Sequence, residues 1–122
     1  MVRTTWDELT ADLRDDDVER LEAFRAFCTS LPEVAEEVHR TELRYRVRRV
    51  FAVGFLLAHR LELAVDLPER VDHPRVVDAF PTTKRVVTHR LSLPHLDDFD
   101  DSVRALLVRA HDEVGPGFRP QR

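Results

Sequence analysis

Three observations in the 122-residue sequence predict an α+β fold of two layers, a roughly four-stranded antiparallel sheet with helices packed on one face. Apolar residues recur at helical spacing near both ends. They alternate with period two through the middle, and the two kinds of segment come in separate blocks. Segregation of this sort fits helices laid on an antiparallel sheet, because a doubly wound parallel sheet needs strand and helix to take turns. The length suits one domain over 1–122, with about 116–122 as a frayed C-terminal tail.

Thr5-x-x-Glu8 reads as a capping box, with Leu9 and Leu13 on one side of the short helix it opens. Asp15, Asp16 and Asp17 supply acids and an N-cap for a second helix from about Val18, striped by Leu21, Phe24, Phe27, Cys28 and Leu31. Ser30-Leu31-Pro32-Glu33 predicts a fresh helical start, continued by Val34, Ala35 and Val38. From Thr41 the period changes to two: Leu43, Tyr45 and Val47 point one way, and Glu42, Arg44, Arg46 and Arg48 the other. Val50 to Leu57 is apolar on both sides and predicts a central strand, joined through a tight turn at Ala58-His59 to a third strand, Arg60 to Leu67. Asp72 caps an expected helical turn, Pro74 to Phe80, which Pro81 ends. Arg85 to Leu93 is the fourth strand, with Val87, His89, Leu91 and Leu93 on its apolar face. Asp97 to Asp101 then leads a final helix carrying Val103, Leu106, Leu107, Ala110 and Val114, its acids at the positive end of the helix dipole.

Thr41-Glu42-Leu43-Arg44-Tyr45-Arg46 running into Phe51-Ala52-Val53, Leu61-Glu62-Leu63 with Leu67-Pro68, and His89-Arg90-Leu91-Ser92-Leu93 with Leu96-Asp97-Asp98 together carry a likeness to a known group. On these stretches the chain resembles domain-of-unknown-function family 5655, an uncharacterised bacterial domain loosely labelled "predicted transport protein". The family usually has a basic or proline-containing hairpin before the position of Leu61, and here the segment is Leu56-Leu57-Ala58-His59-Arg60. The resemblance brings no catalytic residue with it. It implies an accessory role, since such domains are appended to larger proteins, some beside nuclease-like domains.

Composition narrows the function classes. Net charge is −4 from 23 acids and 19 bases, so no overall field attracts a polyanion, and nucleic acid is not an expected partner. Lys84 is the single lysine, and the arginines suit bidentate pairing with carboxylate or phosphate. The lone Cys28 excludes an intrachain disulfide and fits a reducing, cytoplasmic setting. No apolar run approaches the roughly 20 residues a spanning helix needs, so no membrane partner is expected. There is no P-loop, G-x-G-x-x-G, G-x-S-x-G or H-E-x-x-H, and three glycines in all leave no phosphate cradle. No cofactor is expected. The six histidines show no metal-ligand spacing, so no metal is expected either.

Two candidate sites remain. His89, alone among apolar neighbours on its strand face, marks a ligand pocket with Tyr45 and Arg85, although a histidine bonded at the edge of the core is the favoured reading. Arg44, Arg46, Arg48 and Arg90 line the wet face of the sheet, where they could hold an anionic small molecule or a partner. Glu42, Glu62 and Asp66 share that face and no aromatic is expected on it, so an internally paired surface is favoured. The sequence thus predicts a cytosolic binding or accessory module acting through its sheet face, with a protein partner or a second copy of itself. The alternative is a small enzyme or small-molecule sensor built around His89, Tyr45 and Arg85.

Overall fold

A computed structural model describes residues 3–118. In chain order the elements are α1 (Trp6–Thr10), α2 (Asp15–Thr29), β1 (Ala35–Val38), β2 (Leu43–Arg46), β3 (Val50–Leu57), β4 (Arg60–Leu67), β5 (Val76–Thr83), β6 (Val86–Leu93), a 3-10 turn (Leu96–Asp98) and α3 (Asp101–Glu113). The six strands form one antiparallel sheet in the order β1-β2-β3-β4-β6-β5. The α+β class is as expected, and two strands are added to the expected four. No helix among the described residues is long and apolar enough to cross a membrane.

The helices begin where local chemistry predicts, with one shift. The Thr5 side chain accepts the Glu8 N–H and caps α1, while the Glu8 carboxylate bonds Thr4 instead of closing the box. Helix α2 starts at Asp15, so its three aspartates lie inside the first turn and not ahead of it. Asp100 caps α3 by accepting the Val103 N–H at 3.1 Å.

The segment after Pro32 is a strand and not a helix. Glu33 takes a positive φ of 61° and turns the chain into β1, which runs along β2 with Glu36 opposite Tyr45 and Glu37 opposite Arg44. The expected helical turn at Pro74 to Phe80 is likewise strand β5, at the opposite edge of the sheet. Pro81 is tolerated there because an edge strand has one side with no ladder to complete. Strand β2 stops at Arg46 beside a bulge, so Val47 and Arg48 lie in the turn to β3, and the Arg48 N–H bonds the Gly115 carbonyl. Of the expected tail, 119–122 lie outside the described residues; the chain turns at Val114–Pro116.

Helices α2 and α3 cover one face of the sheet. Leu43, Tyr45, Ala52, Leu63, Val65 and Leu91 point into that layer and meet Leu21, Phe24, Cys28, Val103, Leu107 and Ala110 from the helices. The Phe24 ring stands edge-on to Tyr45, with centroids 5.2 Å apart at 82°. Among the described residues no helix packs on the other face of the sheet, and its side chains are half-buried by one another.

Candidate functional site

His89 lies on the helix-covered face of β6, opposite Val65 of β4, and is fully buried. Its Nε2 accepts the Val71 N–H at 3.0 Å and its Nδ1 lies 3.1 Å from the Val87 carbonyl. These partners assign the proton to Nδ1, so the ring is a neutral bridge that pins the loop after β4 to the sheet. Neither nitrogen is left for a ligand.

Tyr45 is also fully buried, on β2, and its hydroxyl donates to Glu36 Oε2 at 2.8 Å. Burial, with the Glu36 carboxylate beside it, pushes the phenol well above its usual range. Arg25 of α2 grips the same carboxylate with Nε at 3.0 Å and Nη2 at 3.2 Å, and its guanidinium lies 4.5 Å from the Trp6 ring centroid. Arg85, by contrast, is exposed in the β5–β6 turn, against the Phe118 ring. The structure therefore does not bring Tyr45, Arg85 and His89 to one opening. Parity placed Tyr45 and His89 on one face correctly, but that face is the one the helices fill. Cys28 is buried on the sheet-facing side of α2, and burial raises its thiol far above the ordinary value, as does the nearby Glu36 charge.

Two further histidine clusters have local roles. His73 Nε2 lies 2.7 Å from the Ser102 hydroxyl, which in turn donates to Asp100 at 2.6 Å. Because His73 Nδ1 accepts the Arg75 N–H, the Nε2 carries the proton and donates to the serine. That polarity is opposite to the one a base needs to activate a hydroxyl. At the β3–β4 turn, His59 Nδ1 is 2.7 Å from Asp17 Oδ2, and Arg20 Nη2 bonds both Asp17 and the His59 carbonyl. Burial alone would raise the Asp17 pKa; the bonds from His59 and Arg20 outweigh it and hold the carboxyl low. No sequence pattern signals this clamp, because His59 lies some 40 residues from Asp17 and Arg20. Among the described residues no three or more His, Cys, Asp or Glu side chains are grouped to hold a metal ion.

The open face of the sheet is where the remaining polar chemistry gathers. The strand registers place Glu37, Arg44, Val53, Ala64, Arg90 and Asp78 in one row across all six strands. The neighbouring row holds Phe55, Glu62 and Ser92, with Glu42 just ahead of β2. Arg44 Nε bonds Glu42 at 2.6 Å, and Arg90 Nη2 bonds Glu62 at 3.2 Å. Arg46 Nε is 2.8 Å from Glu37, close enough for an ion pair although its N–H does not point along the contact. Arg49 reaches Asp66 at 3.6 Å. Burial raises the Asp66 pKa despite the Thr88 hydroxyl at 2.7 Å and the Arg49 charge.

Two features of this face differ from the sequence reading. Arg48 is not in the row, because the bulge ends β2 before it. An aromatic is present: Phe55 projects here, with the Arg90 guanidinium 5.0 Å from its ring centroid. Strand β3 is apolar on both sides, so alternation could not tell which of its faces was the wet one. Glu62 is only 4% exposed; its buried Oε2 makes no hydrogen bond among the described residues but lies 3.8 Å from Arg60 Nε.

No protein-family model, curated protein or solved structure matches this chain.

Proposed function

We propose that this chain is a binding module whose working surface is the open face of its sheet, and that the face docks against a second copy of itself. The carrying observation is the order of groups in the two adjacent rows. Val53, Phe55 and Ala64 make an apolar centre, Arg44 and Arg90 flank it in one row, and Glu42 and Glu62 flank it in the next. An apolar middle inside a rim of arginines and carboxylates is the anatomy of a protein interface. A two-fold mate offset by one row, about 6.6 Å along the strands, sets the arginine row of each copy against the acidic row of the other.

A polyanion fits less well. Glu37, Glu42, Glu62 and Asp66 lie among Arg44, Arg46, Arg49 and Arg90, so the face repels a phosphate backbone but suits a surface that itself carries both signs of charge. The size is adequate: six strands at ~4.8 Å spacing, up to eight residues long, give a face of about 25 Å on a side. That approaches the ~800 Å2 per partner of a standard interface.

Sedimentation equilibrium over a range of concentrations tests the reading. The wild type is expected to show a monomer–dimer equilibrium. Phe55→Glu, on an exposed sheet face where folding can be verified by circular dichroism, is expected to remain monomeric. A wild type that stays monomeric to millimolar concentration, or a folded Phe55→Glu that dimerises equally well, overturns it.

A further inference from the structure

On the helix side of the sheet, α1, α2, β3 and the β1–β2 turn do not fill all the space between them. A cavity of about 190 Å3 is left there. Its walls are Leu9 of α1, Leu13 of the α1–α2 turn, Leu21 of α2 and Leu56 of β3, while Arg40 and Glu42 of the β1–β2 turn border it. Leu21 is buried; Arg40 is exposed, which puts the apolar end inside and the charged end at the mouth.

The charges at the mouth do not cancel. Glu42 is neutralised by Arg44 at 2.6 Å. Arg40 has no carboxylate within ion-pair distance among the described residues, although most arginines of the chain do. The mouth therefore carries one uncompensated positive charge above a leucine-lined chamber. The chamber is small. Apolar cavities of about 150 Å3 take up a single benzene ring, so this one holds one ring or a short branched chain and nothing larger.

The geometry points to a binding site for a small amphipathic monocarboxylate, with its compact apolar body among the four leucines and its carboxylate on Arg40. The apolar body gives non-directional burial. The guanidinium fork sets the sign of charge accepted and orients the ligand with its acid outward. Glu42 borders both this cavity and the docking face, but Arg40 and the four leucines take no part in the proposed dimer contact, so different residues test the two readings.

Phenylacetate and isovalerate are suitable probes, with benzyl alcohol and 2-phenylethylamine as neutral and cationic controls of similar bulk. Titrations followed through the 13C-labelled leucine methyl signals read occupancy directly. Phenylacetate is expected to shift Leu9, Leu13, Leu21 and Leu56 saturably, benzyl alcohol to bind more weakly, and the amine least. Arg40→Gln, at an exposed turn position, is expected to weaken phenylacetate about tenfold, the loss of one charge-assisted contact, and to leave benzyl alcohol unchanged. Leu9→Phe, which fills the chamber, is expected to abolish all binding. Absence of saturable shifts in these four leucines overturns the site. Equal affinity for acid and amine, or an Arg40→Gln variant that keeps full phenylacetate affinity, overturns the carboxylate assignment.

Discussion

At Gly54 the sheet and helix α2 approach so closely that a Cβ would sit 2.3 Å from Cε2 of Phe24. The Phe24 ring is fully buried between Tyr45 and Phe99, so it has nowhere to move. Gly54→Ala is expected to lower stability by about 1–3 kcal/mol, the cost of overpacking, and a denaturant titration measures it. His111 is a second residue with a defined consequence. Its Nε2 is 2.7 Å from the Pro32 carbonyl, its Nδ1 is 2.7 Å from Asp112, and its ring meets Phe51 edge-on. Burial works against the charged ring, but the Pro32 and Asp112 acceptors prevail and raise its pKa. A group whose pKa is raised by folding adds stability that is fully present below its unfolded value, about 6.5, and is lost as pH climbs through the folded value. Unfolding midpoints from pH 6 to 9 should therefore fall in the wild type relative to His111→Gln. Parallel curves would contradict the assignment. Neither contact could be read from sequence, because each depends on which distant side chain arrives opposite. The inward placement of His89 was legible from parity alone; its bond to Val71, 18 residues away, was not.

Elements were legible in proportion to how regular their patterns are. Helix α3 and strands β4 and β6 keep an uninterrupted period and were found. Strand β1 reads Ala-Glu-Glu-Val because Glu36 turns inward to satisfy Tyr45 and Arg25, which erases the apolar alternation. In β5, register shifts at Val76/Asp78 and Pro81/Thr83 break the period twice. The same irregularity protects that edge. Pro81 has no N–H to offer, and Ala79 has its N–H bonded by Asp78 and its carbonyl by Arg70, so a second sheet cannot add there easily. The β3–β4 turn is more demanding, since Ala58 (φ 50°) and His59 (φ 61°) both occupy positive φ, a geometry that favours Asn-Gly. The Asp17–Arg20–His59 clamp holds it in place. Ala58→Gly leaves the clamp intact and relieves one strained residue. It is expected to raise stability by roughly 0.5–1 kcal/mol, the left-handed penalty less the added chain entropy of glycine. An unchanged or lower denaturation midpoint would show that the turn is not strained.

At the scale of the whole molecule the two faces of the sheet divide the work. One is given over to the core, where Cys28, Tyr45 and His89 are packed away from solvent. The other keeps a charged, half-buried surface with an apolar centre. Arg44, Arg46 and Arg90 share that face and Arg48 does not, while the order of its rows needed the strand registers, which pattern alone does not set when β3 is apolar on both sides. The central claim is that this open face meets its own copy, and dilution followed by amide NMR locates the contact most directly. Backbone signals of Arg44, Val53, Phe55, Glu62, Ala64 and Arg90 are expected to move together as concentration falls, while those of α2 and α3 stay still. Signals that do not change with concentration, or changes confined to the helices or to β5, would contradict it.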